Sequence, residues 1–350
     1  MGDDPLDRDA RIERSLFSKK RRDPNGLSYN PHGLAFDHHR GLLFVVARHD
    51  HRVEAFSCED GSLVCRFGEF GTQPGRFRYP YGIAIDHDHD RIFITCGFGG
   101  RVHAFSLSDQ SFLSCIGQRE SGDLKFYNPQ AIAIDKHQRR IVIVDRNNHR
   151  LVFLSSIDLS LLFSVGGKYG SQPDESRSPS GVAIDHDRHR IIVCDTLNYR
   201  VQVLSLIDGS FLFEFGCRGN QPGQLSGPQG VCIANQGRII VADHFNNRLQ
   251  AFTHEGHHIS SFDCGRKCPI EVAFDEHRGL IAFSTSNRVH VIGANQWLAD
   301  TFTWRPDLHR YAPSWMKQVV STMTMIRSVV DESAMSMIPN ELLFEIFSHL

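Results

Sequence analysis

The stretch Ser178–Leu204, SPSGVAIDHDRHRIIVCDTLNYRVQVL, decides the fold. It runs out through an apolar alternating segment (GVAID), turns over His186–His189 and returns through RIIVCD. A second turn over Thr-Leu-Asn-Tyr then leads into RVQVL. Apolar and polar residues alternate, and Gly, Pro, Asp and Asn bound the runs; this is the period of short β-strands joined by tight turns. Asp185 suits the first turn, because an aspartate carboxylate accepts hydrogen bonds from backbone amides just downstream. The next apolar run, SFLFEFG (Ser210–Gly216), supplies a fourth strand.

The pattern recurs in register. The other copies are NPHGLAFDHHRGLLFVVARHDHRVEAF from Asn30, YPYGIAIDHDHDRIFITCGFGGRVHAF from Tyr79 and NPQAIAIDKHQRRIVIVDRNNHRLVFL from Asn128. After the quoted stretch come GPQGVCIANQGRIIVADHFNNRLQAF from Gly227 and CPIEVAFDEHRGLIAFSTSNRVHVI from Cys268. The opening prolines are Pro31, Pro80, Pro129, Pro179, Pro228 and Pro269, at intervals near 49 residues until a shorter last one. The arginines that open the third strand are Arg52, Arg101, Arg150, Arg200, Arg248 and Arg288. A four-stranded unit cannot bury both faces alone, so copies must stack, and radial closure protects their edges. The expectation is an all-β, six-bladed β-propeller of four-stranded blades over residues 8–305. The sixth copy lacks a fourth strand directly after Ile292. The N-terminal run Arg11–Phe17 is the preferred strand to close that blade, and Asp300–Trp304 competes with it.

The pattern P-x-G-[VI]-A-[VI]-D … D-x-x-N-x-R-[VI] resembles the NHL repeat family, over about residues 8 to 300. That resemblance implies a six-bladed propeller and no single activity, since such propellers serve in RNA binding, protein binding and, less often, catalysis. The copies depart from the pattern in places. Asp145, Asp195 and Asp243 end the second strand in three copies, where Ala47, Cys96 and Ser284 stand in others. The glycine after the proline becomes Ala131 in the third copy and is lost from Pro269-Ile270-Glu271 in the sixth.

Residues 306–350 change character and read as a small α-helical C-terminal tail. Trp315, Val319, Met323, Ile326 and Val330 make one helical stripe. A second helix starts near Pro339 and carries Leu342, Leu343, Ile346 and Phe347. The segment P-x-E-L-L-x-x-I-F-x-x-L resembles the opening of an F-box. That resemblance implies a partial adaptor-recruiting box, with Trp315, Val319, Met323, Leu342, Leu343, Ile346 and Phe347 as a partner face.

In a propeller the loops from strand four to one and from strand two to three open on the same face. That face gathers His32, Tyr81, Gln130, Ser180, Gln229 and Ile270 around the channel mouth, and Arg48, Phe98, Arg146, Leu197, His244 and Phe245 beside them. Aromatic, amide and arginine side chains suit recognition of a protein or peptide ligand. The candidate binding residues are therefore His32, Arg48, Tyr81, Phe98, Gln130, Arg146, Gln229, His244 and Phe245.

No nucleophile elbow, phosphate loop or HExxH motif occurs, so no catalytic residues are assigned and no cofactor is expected. Eight of the 20 histidines, His38, His39, His87, His89, His137, His186, His189 and His277, lie in the turns between strands one and two. Turns of neighbouring blades are expected to stand too far apart to share one metal ion, which leaves no metal site; a metal-dependent lyase-type propeller is the remaining enzymatic alternative. The acids Asp86, Asp88 and Asp90 read as solvated. A formal net charge of −2 gives no global pull toward nucleic acid. Single-stranded RNA binding still has support in the basic run SKKRRDP, in loop residues such as Arg66, Arg76, Arg78 and Lys168, and in stacking rings at Tyr79, Tyr81, Tyr127 and Phe245.

Nine scattered cysteines without a CxxC pair, a charged start without a signal peptide and no apolar run of spanning length point to a soluble, cytoplasmic protein with no membrane association. The reading is a non-enzymatic interaction scaffold. A ubiquitin-ligase substrate receptor, with the tail docking the adaptor, is one alternative and RNA binding another.

Overall fold

The computed structural model describes residues 30–117 and 124–298. Within them the chain forms six antiparallel sheets in sequence order, five of four strands and one of three. In the fourth sheet, Val182–Asp185, Arg190–Asp195, Arg200–Ser205 and Phe211–Phe215 pair in the order in which they occur. The six first strands are Pro31–Asp37, Pro80–Asp86, Pro129–Asp135, Val182–Asp185, Pro228–Ala234 and Val272–Asp275. Each packs against the next, and the sixth packs against the first, so the ring closes. The molecule is a six-bladed propeller, as the repeats imply.

Burial follows from position in the blade. The second strand of the first blade, LLFVVA, is buried at every residue, because neighbouring blades cover both of its faces. The outermost strand of the third blade, Leu161–Gly166, alternates exposed and half-buried residues. Six apolar cores result, one per interface between blades. Phe44, Val46 and Val53 meet Phe77, Ile92 and Ile94 across the first interface. Leu34, Leu43 and Val45 meet Ala273, Ala282 and Val291 across the closing one. Phe77, from the loop entering the second blade, is fully buried. A side chain of that size contributes about 1.5–3 kcal/mol by burial.

The glycine of the P-x-G signature has a steric cause. A Cβ on Gly33 would meet the Tyr81 carbonyl oxygen at 2.4 Å, and one on Gly181 the Gln229 carbonyl oxygen at 2.1 Å. The first strands converge near the axis, and their backbones leave no room for a side chain there.

The D-x-x-N-x-R signature ties the loops together. Asp195 Oδ1 accepts the Arg177 amide at 2.7 Å, while Oδ2 accepts Asn198 Nδ2 at 2.8 Å and Arg200 Nε at 2.9 Å. Asp145 and Asp243 repeat this arrangement with Arg150 and Arg248. Each such aspartate fixes the loop entering its blade to the turn after its second strand, the two loops that build one face. In the first blade Ala47 offers no carboxylate, and Arg52 pairs instead with Asp50 at 2.7 Å and Glu54 at 2.8 Å.

The sixth sheet comprises Val272–Asp275, Leu280–Ser284 and Val289–Gly293, followed by the short helix Ala294–Leu298. Both candidates for its outer strand, residues 11–17 and 300–304, lie outside the described residues. So does the tail of residues 306–350, with all seven residues of its expected partner face.

Candidate binding face

Six side chains occupy the same register, one residue after the blade-opening proline. His32, Tyr81, Gln130, Ser180, Gln229 and Ile270 line one small constriction at the end of the axial channel. Sequence register alone thus identified the mouth of the ring.

A second tier braces them. The Arg48 guanidinium lies over the Tyr81 ring, 4.4 Å from its centroid, and 5.4 Å from that of Tyr79. His32 packs edge-on against Tyr81 at 4.8 Å. Arg146 donates from Nη1 to Gln130 Oε1 at 3.1 Å. His244 donates from Nδ1 to the Pro269 carbonyl at 3.0 Å, which fixes its tautomer. Farther out, Phe98 leans on Tyr79 at 5.0 Å and Phe245 on His244 at 4.8 Å. These two phenylalanines are 50% and 64% exposed. All nine candidate residues therefore lie at or around one opening. His51 and His149 do not join them: each accepts a backbone amide, from Tyr79 and Ser178 respectively, and holds a loop in place.

Electrostatics at the mouth are set by burial. His32 is pushed down to about 3 by burial, with Arg48, His49, His244 and Arg146 adding to the effect, so its ring is neutral near pH 7. Glu271 moves the other way, up to about 7, because burial penalises its charge more than the amides of Val272 and Val231 restore it. This carboxylate lines both the constriction and the channel behind it. It stands at the register position that is Gly33, Gly82, Gly181 or Gly230 in other blades, and sequence reasoning recorded that departure without assigning it to the site. Position in the repeat was the signal that marks it.

Dimensions limit what enters. The channel volume is about 280 Å³, but the constriction holds only about 20 Å³. A cavity needs roughly 10–15 Å³ of such space to hold one water molecule, so the constriction has room for about one.

Two expectations about the opposite face fail. Asp86 is buried and accepts His89 Nδ1 at 3.0 Å, so it is not a solvated turn residue. The turns of neighbouring blades are also not far apart: ligand atoms of His38, His39 and His87 all lie within 4.8 Å of one another. These turns leave the first strands, which are innermost, so adjacent blades approach most closely there.

Comparison with known proteins agrees with the geometry. The NHL repeat matches residues 177–204 and 225–252, in the fourth and fifth blades. The protein lin-41 of Caenorhabditis elegans is 48% identical over 46 residues, which cover 13% of this chain and 4% of that protein. A gluconolactonase from Xanthomonas campestris superposes with a TM-score of 0.58 at 13% identity, covering 75% of this chain and 86% of that one. A catalytically inactive virginiamycin B lyase from Staphylococcus aureus, with quinupristin, gives 0.53 at 14% identity, covering 75% and 79%. Identities this low show the fold alone. Among the described residues no helix is long and apolar enough to cross a membrane.

Proposed function

We propose that the chain is a recognition module that binds a protein or peptide segment on the mouth face and performs no chemistry of its own. The observation that carries this reading is the exposed rim of Phe98 and Phe245, joined to the Arg48–Tyr81–His32 stack around the mouth of the ring. Aromatic and arginine anchors in partly desolvated settings are where recognition energy concentrates. The general interaction role of NHL propellers supports the same reading. The test is affinity purification with the full chain and with Arg48→Ala, Tyr81→Ala and Phe245→Ser. Proteins retained by the wild type should be lost from the variants while thermal melting stays unchanged. Identical partner sets for wild type and all three variants would remove the proposal.

A second reading, single-stranded RNA, has its own observation. Guanidinium groups sit on tyrosine rings around the face: Arg48 on Tyr79, Arg177 on Tyr169 at 5.0 Å and Arg218 on Tyr199 at 5.0 Å. Stacking rings beside cations are what sequence-tolerant single-strand binders use. Filter binding of random single-stranded RNA at two salt concentrations separates the readings, since phosphate contacts weaken steeply with salt. The ligase-receptor alternative rests on residues 306–350, outside the described residues; their deletion leaving every partner in place would end it.

A further inference from the structure

On the face opposite the mouth, the turns after the first strands carry a cluster of imidazoles. His38 and His39 come from the first blade, His87 from the second and His277 from the sixth. Ring centroids are 4.2 Å apart for His38 and His39, 4.4 Å for His38 and His87, and 4.5 Å for His39 and His87. The His277 ring lies 4.6 Å from that of His38.

We propose that His38, His39 and His87 form a binding site for a divalent transition ion, zinc foremost, that fastens the first blade to the second. Geometry and chemistry both support it. Ligand nitrogens at about 2.0–2.1 Å from a tetrahedral zinc stand roughly 3.3 Å from one another. The three ligand atoms already fall within 4.8 Å, and His39 is exposed and the other two half-buried, so small rotations of the rings close the difference. Imidazole nitrogen is a ligand that zinc, copper and nickel accept readily.

The surroundings orient the ligands. His87 Nε2 lies 3.1 Å from Asp37 Oδ1, whose carboxylate side chain is fully buried. A carboxylate only accepts, so Nε2 carries the proton and Nδ1 is left with its lone pair for a metal. Histidine ligands in zinc sites are routinely held by a carboxylate in this manner. The other oxygen, Asp37 Oδ2, is buried and lies 3.6 Å from Arg40 Nε. Two guanidinium groups lie near, and both are engaged: Arg40 with Asp37, and Arg278 with Asp275 at 3.2 Å and the His38 carbonyl at 3.1 Å. His277, in the last blade, approaches His38 across the closing interface but lies outside the set of three converging ligand atoms.

Full-length protein stripped with a chelator and titrated with zinc chloride against a competing indicator tests the site. One equivalent should bind, and the melting temperature should rise with zinc. His39→Gln and His87→Gln should each weaken binding at least tenfold and abolish the rise. A control, His137→Gln with His186→Gln, removes a pair 5.2 Å apart in the third and fourth blades and should change neither quantity. If His87→Gln lowers the melt without metal, the exposed His39→Gln carries the comparison. Cobalt(II) in place of zinc should show tetrahedral nitrogen-ligand absorption. Absence of a bound equivalent, unchanged affinity in His39→Gln, or a thiolate-to-cobalt band placing the ion on a cysteine would each overturn the assignment.

Discussion

Arg200 Nε lies 2.9 Å from Asp195 Oδ2 in a pair whose side chains are 8% and 0% exposed. The guanidinium also donates to the carbonyls of Ser171, Gln172 and Glu175, so one ion pair locks a whole interblade loop. Breaking a buried pair by removing one partner costs about 3–5 kcal/mol, because the remaining charge is stranded. Arg200 keeps a second carboxylate, Glu214 at 2.6 Å, so Asp195→Ala should lower stability by about 3 kcal/mol, the lower end of that range, in chemical denaturation. Adding Arg200→Leu should recover part of the loss. A shift under about 1 kcal/mol for the single variant would show that the pair does not organise the loop.

Convergence of the first strands yields a steric prediction. Gly181→Ala places a methyl group 2.1 Å from a backbone oxygen that has no rotamer to move, so the ring itself must shift. A destabilisation of about 1–3 kcal/mol is expected, as for other overpacked interiors. Gly99→Ala, with its nearest atom at 3.7 Å, should stay within about 0.5 kcal/mol. Comparable melting temperatures for the two variants would contradict the close approach.

Glu271 makes stability depend on pH. Its folded value, about 7, lies above its ordinary 4.5, so the folded state binds the proton more tightly than the unfolded chain. The resulting stabilisation is complete below pH 4.5 and is lost as pH rises through 7. Glu271→Gln should therefore gain on the wild type by on the order of 1–3 kcal/mol at pH 8 and lose that advantage at pH 4.5. Parallel curves of stability against pH for the two proteins would show that the carboxylate is not buried at the channel mouth.

Thiol reactivity should separate the cysteines by burial. Cys217 is exposed, whereas burial pushes Cys96 up to about 12 and raises Cys194 and Cys232 as well. Alkylation is carried by the thiolate. Peptide mapping after brief alkylation near pH 7.5 should find Cys217 modified and the buried Cys96 and Cys194 protected until the protein unfolds. Equal labelling of Cys194 and Cys217 would be inconsistent with the packing between the fourth and fifth blades.

Much of this architecture was legible in the chain. The repeat placed His32, Tyr81 and Gln130 at one register, and the ring brings that register to one opening. The D-x-x-N-x-R residues stood out as a recurring pattern, and in the structure Asp145, Asp195 and Asp243 each brace two loops. What the repeat did not reveal depends on radius. A spacing near 49 residues says nothing of how closely successive turns approach, so the meeting of His38 with His87 was missed. Relaxed positions were also opaque: the loss of aspartate at Ala47 gave no hint that Asp50 and Glu54 would take up Arg52. Glu271 was visible as a missing glycine, but its burial follows from five other blades crowding the same axis.

The closing interface has a kinetic consequence. Contacts between neighbouring blades join residues such as Asp37 and His87, 50 positions apart, whereas Arg278 reaches His38 across 240. Loop-closure entropy grows as the logarithm of separation, so the last contact costs only about 1.4 kcal/mol more than each of the others. Folding should then proceed by successive neighbouring units, with the junction of first and last forming late. Until that junction forms, the outward edges of the terminal units lie open, and this is the interval in which chains in concentrated solution would exchange blades or aggregate.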